Sequence, residues 1–321
     1  MKKMIAILLI LSLVFVMWGC VSDTTSSTDS QTTSTTTAPG VLDGKKIIFI
    51  GNSQTYVGNV VSQVYNKDPR LESREHNMGL FYLLCKSLGS EVNVVNWTFS
   101  QHGLRSIFGA PCKVKGDCQN LNHEDYLTDR VYDYVVVQPG VGTNSEESLV
   151  EDIAYIVKFF RDANPDVKFV LLGNASVYGN NNTNTTYPGI TGYYETLSEQ
   201  GFIMADWGKL VNDLIHGIVT PEGSDFTYNK NSFIIKDGFH PNLLSGYIAS
   251  VMAYCAITGT SAADIPATMY QEPAMVAALD SHLEKYYENP EYDTNCKSIL
   301  TTPSELEQIH LLIDQYLADA N

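Results

Sequence analysis

The sequence predicts an α/β domain, a three-layer α/β/α sandwich around a central parallel sheet of about five strands. Three observations carry that expectation. Short apolar, β-branched runs at 46–50, 92–96, 134–138, 168–172 and 202–205 have the length and composition of strands. Segments of helical period lie between them, and strand–helix alternation implies a parallel sheet whose right-handed crossovers put helices on both faces. No internal repeat and no second linker interrupts residues 43–321.

Taken in order, the first strand, Ile47-Ile48-Phe49-Ile50, runs into the polar turn Gly51-Asn52-Ser53-Gln54-Thr55. A long loop leads to a helix over 79–88 and to the second strand, which is followed by Ser100-Gln101-His102-Gly103. After the third strand come Gln138-Pro139-Gly140-Val141-Gly142-Thr143-Asn144-Ser145 and a helix over 146–161. The fourth strand precedes an Asn-rich stretch at 179–186, flanked by Tyr178 and Tyr187, which reads as a long loop near the strand's C-terminal end. Helices over 193–199 and 207–216 lie on either side of the fifth strand. Asp237-Gly238-Phe239-His240-Pro241-Asn242 then opens a helix over 243–257, expected to pack on the sheet and hold His240 in place. Two further helices, 274–287 and 304–318, close the chain and bring no suggestive cluster of reactive side chains.

The ends and the composition limit the setting. Lys2 and Lys3 precede an apolar segment from Met4 to Trp18, too short for a membrane span and shaped like a secretory signal. Gly19-Cys20 at its end resembles a bacterial lipoprotein signal, which makes residues 1–20 the signal and Cys20 the lipid-bearing residue; ordinary secretion is the alternative. Residues 21–42, mostly Ser and Thr, hold too little apolar surface for a core and are expected to be a disordered tether. The protein is therefore placed in the cell envelope, outside the cytoplasm, touching the membrane through a lipid anchor only. A net charge of −16 spread along the chain argues against nucleic acid or anionic lipid as partner. Of six cysteines, Cys112 and Cys118 share a short loop where a disulfide is favoured over a metal site, since His123 is the one nearby further ligand. Cys85, Cys255 and Cys296 leave a second bridge open, with no pairing indicated.

Two segments carry chemistry. A strand that ends in glycine and turns sharply leaves the next polar side chain, Ser53, at the C-terminal sheet edge where open α/β sheets hold ligands. An acid three residues before a histidine on one tight turn, as in Asp237 to His240, can reach Nδ1 and leave Nε2 to take a proton from a serine. For Ser53 the alternative is a helix cap.

At these residues the chain resembles the SGNH (GDSL) hydrolase superfamily: Gly51-Asn52-Ser53 is similar to its first block, Gly-Asp-Ser, and Asp237 to His240 to its last, Asp-x-x-His. Pro241-Asn242 and Gly246-Tyr247 extend the likeness, which spans 45 to about 258. It implies a flavodoxin-like fold and serine-dependent ester hydrolysis with no metal and no cofactor. Ser53 is then the nucleophile, His240 the base and Asp237 the residue that fixes the tautomer. The resemblance implies oxyanion donors at the Ser53 backbone and at a glycine after the second strand, best matched by Gly103. The third block, Gly-x-Asn-Asp, is altered: Asn144 falls about two residues late with Ser145 in place of Asp, and Gln138 is a rival donor. The alternative for Asn144 is a cap of the helix at 146. His102 either lines the cleft or is solvated, and His76, His123, His216, His282 and His310 read as structural or surface residues.

The expected activity is hydrolysis of O-acyl groups on a small molecule or polysaccharide, acetyl esters on carbohydrate first. A lipase or lysophospholipase and an O-acetyltransferase would use the same triad. A carbohydrate-binding lipoprotein with a degenerate site is the alternative of a different class, kept open by Asn52 and Ser145 in the altered blocks.

Overall fold

The computed structural model describes residues 40–64, 70–100, 102–108, 123–139, 146–174, 194–223, 228–235, 238–269 and 302–321, all within one unit, Ala38–Asn321. Five strands make one parallel sheet: β1 (Lys46–Gly51), β2 (Asn93–Thr98), β3 (Tyr134–Val137), β4 (Lys168–Leu172) and β5 (Phe202–Ala205). Their order, β2-β1-β3-β4-β5, is the flavodoxin-like one. All five expected strands are present, and β2 alone shifts appreciably, running to Thr98 rather than to 96. Register explains the shift: Ile50 pairs with Trp97 and Gly51 with Thr98, so β2 extends as far as β1 does. Asn96, whose amide suggests a strand end, is fully buried and donates through Nδ2 to the Ser62 carbonyl at 2.8 Å.

Both sheet faces are covered. Ile47, Phe49, Val94, Val136 and Val170 point into one core with α2 (Leu80–Ser87), α7 (Trp207–Ile215), α9 (Leu243–Thr258) and α10 (Pro303–Ala320). Ile48, Ile50, Val95, Val135, Val137, Phe169 and Leu171 point into the other, with α3 (Leu104–Ile107), α5 (Glu146–Arg161) and α6 (Tyr194–Glu199). Successive strand residues face opposite sides, and because both sides are dry the strands read as unbroken apolar runs. The same geometry makes α9 apolar all round, since it lies on the sheet and contacts α2, α7 and α10. Asn242 caps it, accepting the Ser245 N–H at 3.0 Å, and Gly259 ends it in the left-handed region.

Four one-turn helices have no sequence expectation: α1 (Ser53–Tyr56), α3, α4 (His123–Tyr126) and α8 (Lys230–Phe233). Four residues are too few to show a helical period, and such turns form where a cap supplies the first bond. Asn52 does this for α1 and a capping box between Asn229 and Ser232 for α8.

Gly40 and Leu42, ahead of residue 43, pack on the domain. Gly40 bonds Gly89, the Leu42 N–H donates to Ser90 Oγ at 3.1 Å, and the Leu42 side chain enters the core. Cys85 on α2 and Cys255 on α9 are free buried thiols, so neither enters the second bridge considered for them. Burial pushes both thiols up, Cys255 to about 12. Cys20, Cys112, Cys118, Cys296, the 1–20 signal and the 274–287 helix lie outside the described residues.

The C-terminal helix α10 is tied down by polar contacts. Asp314 accepts from Ser261 Oγ at 2.5 Å and the Ala262 N–H at 2.6 Å, and Tyr316 donates to Asp213 at 2.5 Å. His310 is buried against Tyr247, whose hydroxyl lies 3.2 Å from Nε2. Burial lowers its imidazole to about 4, against hydrogen bonding to the Ile265 backbone and the charge of Asp314. A histidine depressed in the folded state stabilises fully above its unfolded value, near 6.5, and loses that contribution as pH falls towards about 4. His310→Gln is expected to remove that acid sensitivity, worth about 3 kcal/mol between the two limits by linkage. Urea unfolding at pH 7.5 and 4.5 checks this: wild type should lose more stability between the two than the variant.

Candidate active site

In a sheet of this order the chain leaves β1 for β2 on one side and returns to β3 on the other. The crevice outside the C-terminal ends of β1 and β3 is where such folds place ligands. Ser53 follows β1 and Gln138 follows β3, so both reach that crevice. The turn after β1 is tightly built. A Cβ on Gly51 would lie 2.9 Å from both Gln138 Oε1 and Thr55 Oγ1, too close for any other residue without a shift. Gln138, buried, accepts through Oε1 from the Asn52 N–H at 3.2 Å and from Thr55 Oγ1 at 3.1 Å, while its Nε2 is directed at the Pro139 carbonyl. It braces the serine turn in this arrangement, and its amide nitrogen carries a second N–H besides the one directed at Pro139.

The histidine arrives on a narrow hairpin. Ile234 and Pro241 form an antiparallel bridge, the Ile235 N–H donates to the His240 carbonyl at 2.9 Å, and the Gly238 N–H donates to the Ile235 carbonyl at 2.8 Å. The Phe239 ring and the imidazole stand nearly perpendicular, with ring centroids 4.6 Å apart. His240 Nε2 lies 2.8 Å from Ser53 Oγ across 187 residues of sequence, within the reach required of a general base. Asp237 and Asn144 lie outside the described residues.

The hairpin is held from behind. Helix α9 begins three residues after His240 and rests directly on the backbone that follows the serine: a Cβ on Gly246 would fall 1.6 Å from the Gly58 carbonyl oxygen. His240 and Ser53 are thus referenced to one glycine–glycine contact.

Gly103 flanks α3 in extended conformation, and its carbonyl accepts the Ser106 hydroxyl at 2.9 Å. His102 beside it is buried, with Nδ1 2.6 Å from the Ser100 carbonyl and its ring against Phe99. The solvated-loop reading of His102 is therefore corrected: its ring packs under the loop that presents Gly103. His123 is also buried, 3.1 Å from the Tyr155 hydroxyl and packed on Phe108 and Phe159, and burial lowers its imidazole. Among the described residues no group of three or more His, Cys, Asp or Glu is placed to hold a metal.

No family model matches the chain, and no curated protein matches it. Among solved structures it is similar to a protein assigned as an SGNH hydrolase from Slackia heliotrinireducens, 14% identical over 68% of this chain and 100% of that one, with a TM-score of 0.42. It is also similar to a GDSL-like lipase from Parabacteroides merdae, 16% identical over 69% and 99% of the two chains, TM-score 0.44. A third is an acetylxylan esterase from Geobacillus stearothermophilus, 15% identical over 67% and 94%, TM-score 0.42. At these identities no residue role transfers, and the chemistry rests on the geometry above.

Three further residues have no role assigned from the sequence. Asn52 and Gln54 flank Ser53 with buried amides, and the signal that could find them is a run of four polar residues directly after a dry strand, each needing a partner. Arg74, equally buried, donates through Nη1 to the Asn96 and Thr98 carbonyls at 3.0 and 2.9 Å and lies over the Phe99 ring at 3.8 Å. It lines a cavity of about 240 Å³ with Tyr56 of α1 and Thr98, Phe99 and Ser100 from the end of β2.

Proposed function

We propose that this chain is an SGNH-type serine esterase that hydrolyses O-acyl esters, carbohydrate-linked acetyl groups above all, outside the cytoplasm and tethered through a lipid on Cys20. The observation that carries the chemistry is the 2.8 Å contact between His240 Nε2 and Ser53 Oγ at the β1/β3 crevice. The amide- and tyrosine-containing stretch from Tyr178 to Tyr187 supports a sugar as the alcohol part.

In the proposed reaction Ser53 Oγ attacks the ester carbonyl as its proton passes to His240 Nε2. The oxyanion that forms is stabilised by the backbone N–H groups of Ser53 and Gly103, with an amide of Gln138 or Asn144 as the third donor. Collapse breaks the bond to the alcohol, which leaves with the proton from His240. Water then enters, loses a proton to His240 and attacks the acyl-enzyme; the acid departs and Ser53 regains its proton. Asp237 is assigned to Nδ1, fixing the tautomer and balancing the imidazolium.

Fluorophosphonate labelling followed by peptide mass spectrometry tests the reading. The expected result is one adduct on Ser53. A folded protein with no adduct there would remove the esterase assignment.

A further inference from the structure

We propose that Asn52 and Gln54 form a two-sided amide clamp that sets Ser53 against the base on one side and against the Gly103 loop on the other. The inference deepens the esterase reading and rests on it. Each amide donates to the main-chain carbonyl immediately before a residue with a part in the proposed reaction. Gln54 Nε2 donates to the Phe239 carbonyl at 3.2 Å, and the next residue is His240. Asn52 Nδ2 donates to the His102 carbonyl at 3.3 Å, and the next residue is Gly103. The two are coupled, because Asn52 Oδ1 accepts the Gln54 N–H at 3.0 Å.

Chemistry explains why both positions are amides. A backbone carbonyl has to be met by a donor, which both amides supply, and Asn52 adds the acceptor that takes the Gln54 N–H, where a carboxylate would set two acceptors against each other at His102. Asn52 is 9% and Gln54 1% exposed, so the bond to His102 is buried and the bond to Phe239 part-buried. The bonds span 50 and 185 residues, linking three separate loops at the one residue that attacks. Asn52, the departure from the Gly-Asp-Ser block, thereby gains a function: an aspartate would keep the cap on Gln54 and lose the hold on His102.

Because Gln54 and Asn52 touch no reacting atom, they are positioning residues, and the leaving group separates their effects. His240 must protonate a sugar alkoxide as it departs, whereas p-nitrophenolate leaves without that proton. The oxyanion forms equally with both esters. The full chain is assayed for kcat/KM on p-nitrophenyl acetate and on an acetylated monosaccharide, with thermal unfolding alongside, for wild type, Gln54→Met, Gln54→Leu and Asn52→Asp.

Gln54→Met is expected to lose on the order of 10- to 100-fold on the sugar ester and several-fold less on the nitrophenyl ester, as misplacement of a base does. Asn52→Asp is expected to lose about 10-fold on both alike. Folded Gln54 variants with wild-type rates, or with equal losses on the two esters, would overturn the clamp; so would failure of both Gln54→Met and Gln54→Leu to fold, which would make the position a core residue. A wild type that neither cleaves the esters nor labels at Ser53 would bring down the esterase reading and the clamp with it, whereas an active wild type with indifferent variants would bring down the clamp alone.

Discussion

Ser53→Ala is expected to lower kcat on any ester substrate by at least ~10³-fold, the scale of loss when a triad nucleophile is removed. The fold should survive. Ser53 contributes one side-chain hydrogen bond, to His240, and opens a one-turn helix whose cap belongs to Asn52. Alanine is also well tolerated in a first helical turn. Steady-state kinetics beside circular dichroism and thermal unfolding check both halves. A folded variant that keeps its activity would remove Ser53 from the chemistry. The loss should also resist rescue by added base, because what is missing is the oxygen that forms the acyl-enzyme bond.

Among the described glycines, Gly246→Ala should be the most damaging single added methyl. The added carbon would stand 1.6 Å from the Gly58 oxygen and 2.4 Å from its carbonyl carbon. Both contacts are backbone, so no side chain can rotate away, and α9 or the α1 turn has to move by more than an ångström. Overpacking in a core ordinarily costs 1–3 kcal/mol, and a clash of main chain against main chain is expected at or above the top of that range, about 3 kcal/mol or more. In a domain of this size that is roughly 6–12 °C in Tm. The shift also separates His240 from Ser53, since α9 starts just after the histidine hairpin and α1 starts at the serine. A displacement near 1 Å at a nucleophile–base pair costs on the order of 10² in rate, so kcat should fall even in the fraction that folds. Differential scanning calorimetry and kinetics below the lowered Tm test this. Wild-type stability would mean that α9 is not in contact with the Gly58 backbone.

The fold and the pairing of Ser53 with His240 were legible for different reasons. Strands β1, β3, β4 and β5 announce themselves because both faces of the sheet are dry, which writes their residues as apolar except at the ends. The end of β2 does not, because Trp97 and Thr98, lying beyond the Asn96 amide, look like a loop until pairing with Ile50 and Gly51 makes them strand. Ser53 and His240 stand out because tight turns at a sheet edge need glycine and polar residues at fixed offsets. The setting of His102 was misread for the converse reason: a histidine in a polar stretch looks solvated, and only the packing of Phe99 and the Ser100 carbonyl shows that it is not.

Local pattern by itself determined the five strands, the main helices between and after them, and the two segments that hold Ser53 and His240. Those features depend on neighbours a few residues apart, whose spacing is written directly in the chain. Only the tertiary structure decided that Gln138 turns its oxygen to the serine turn, that Gly246 rests on Gly58, and that Asn52 and Gln54 grip the carbonyls before Gly103 and His240. These contacts join residues 50 to 188 positions apart, where the partner of each polar group is chosen by how the sheet edge and α9 come together rather than by anything adjacent in sequence.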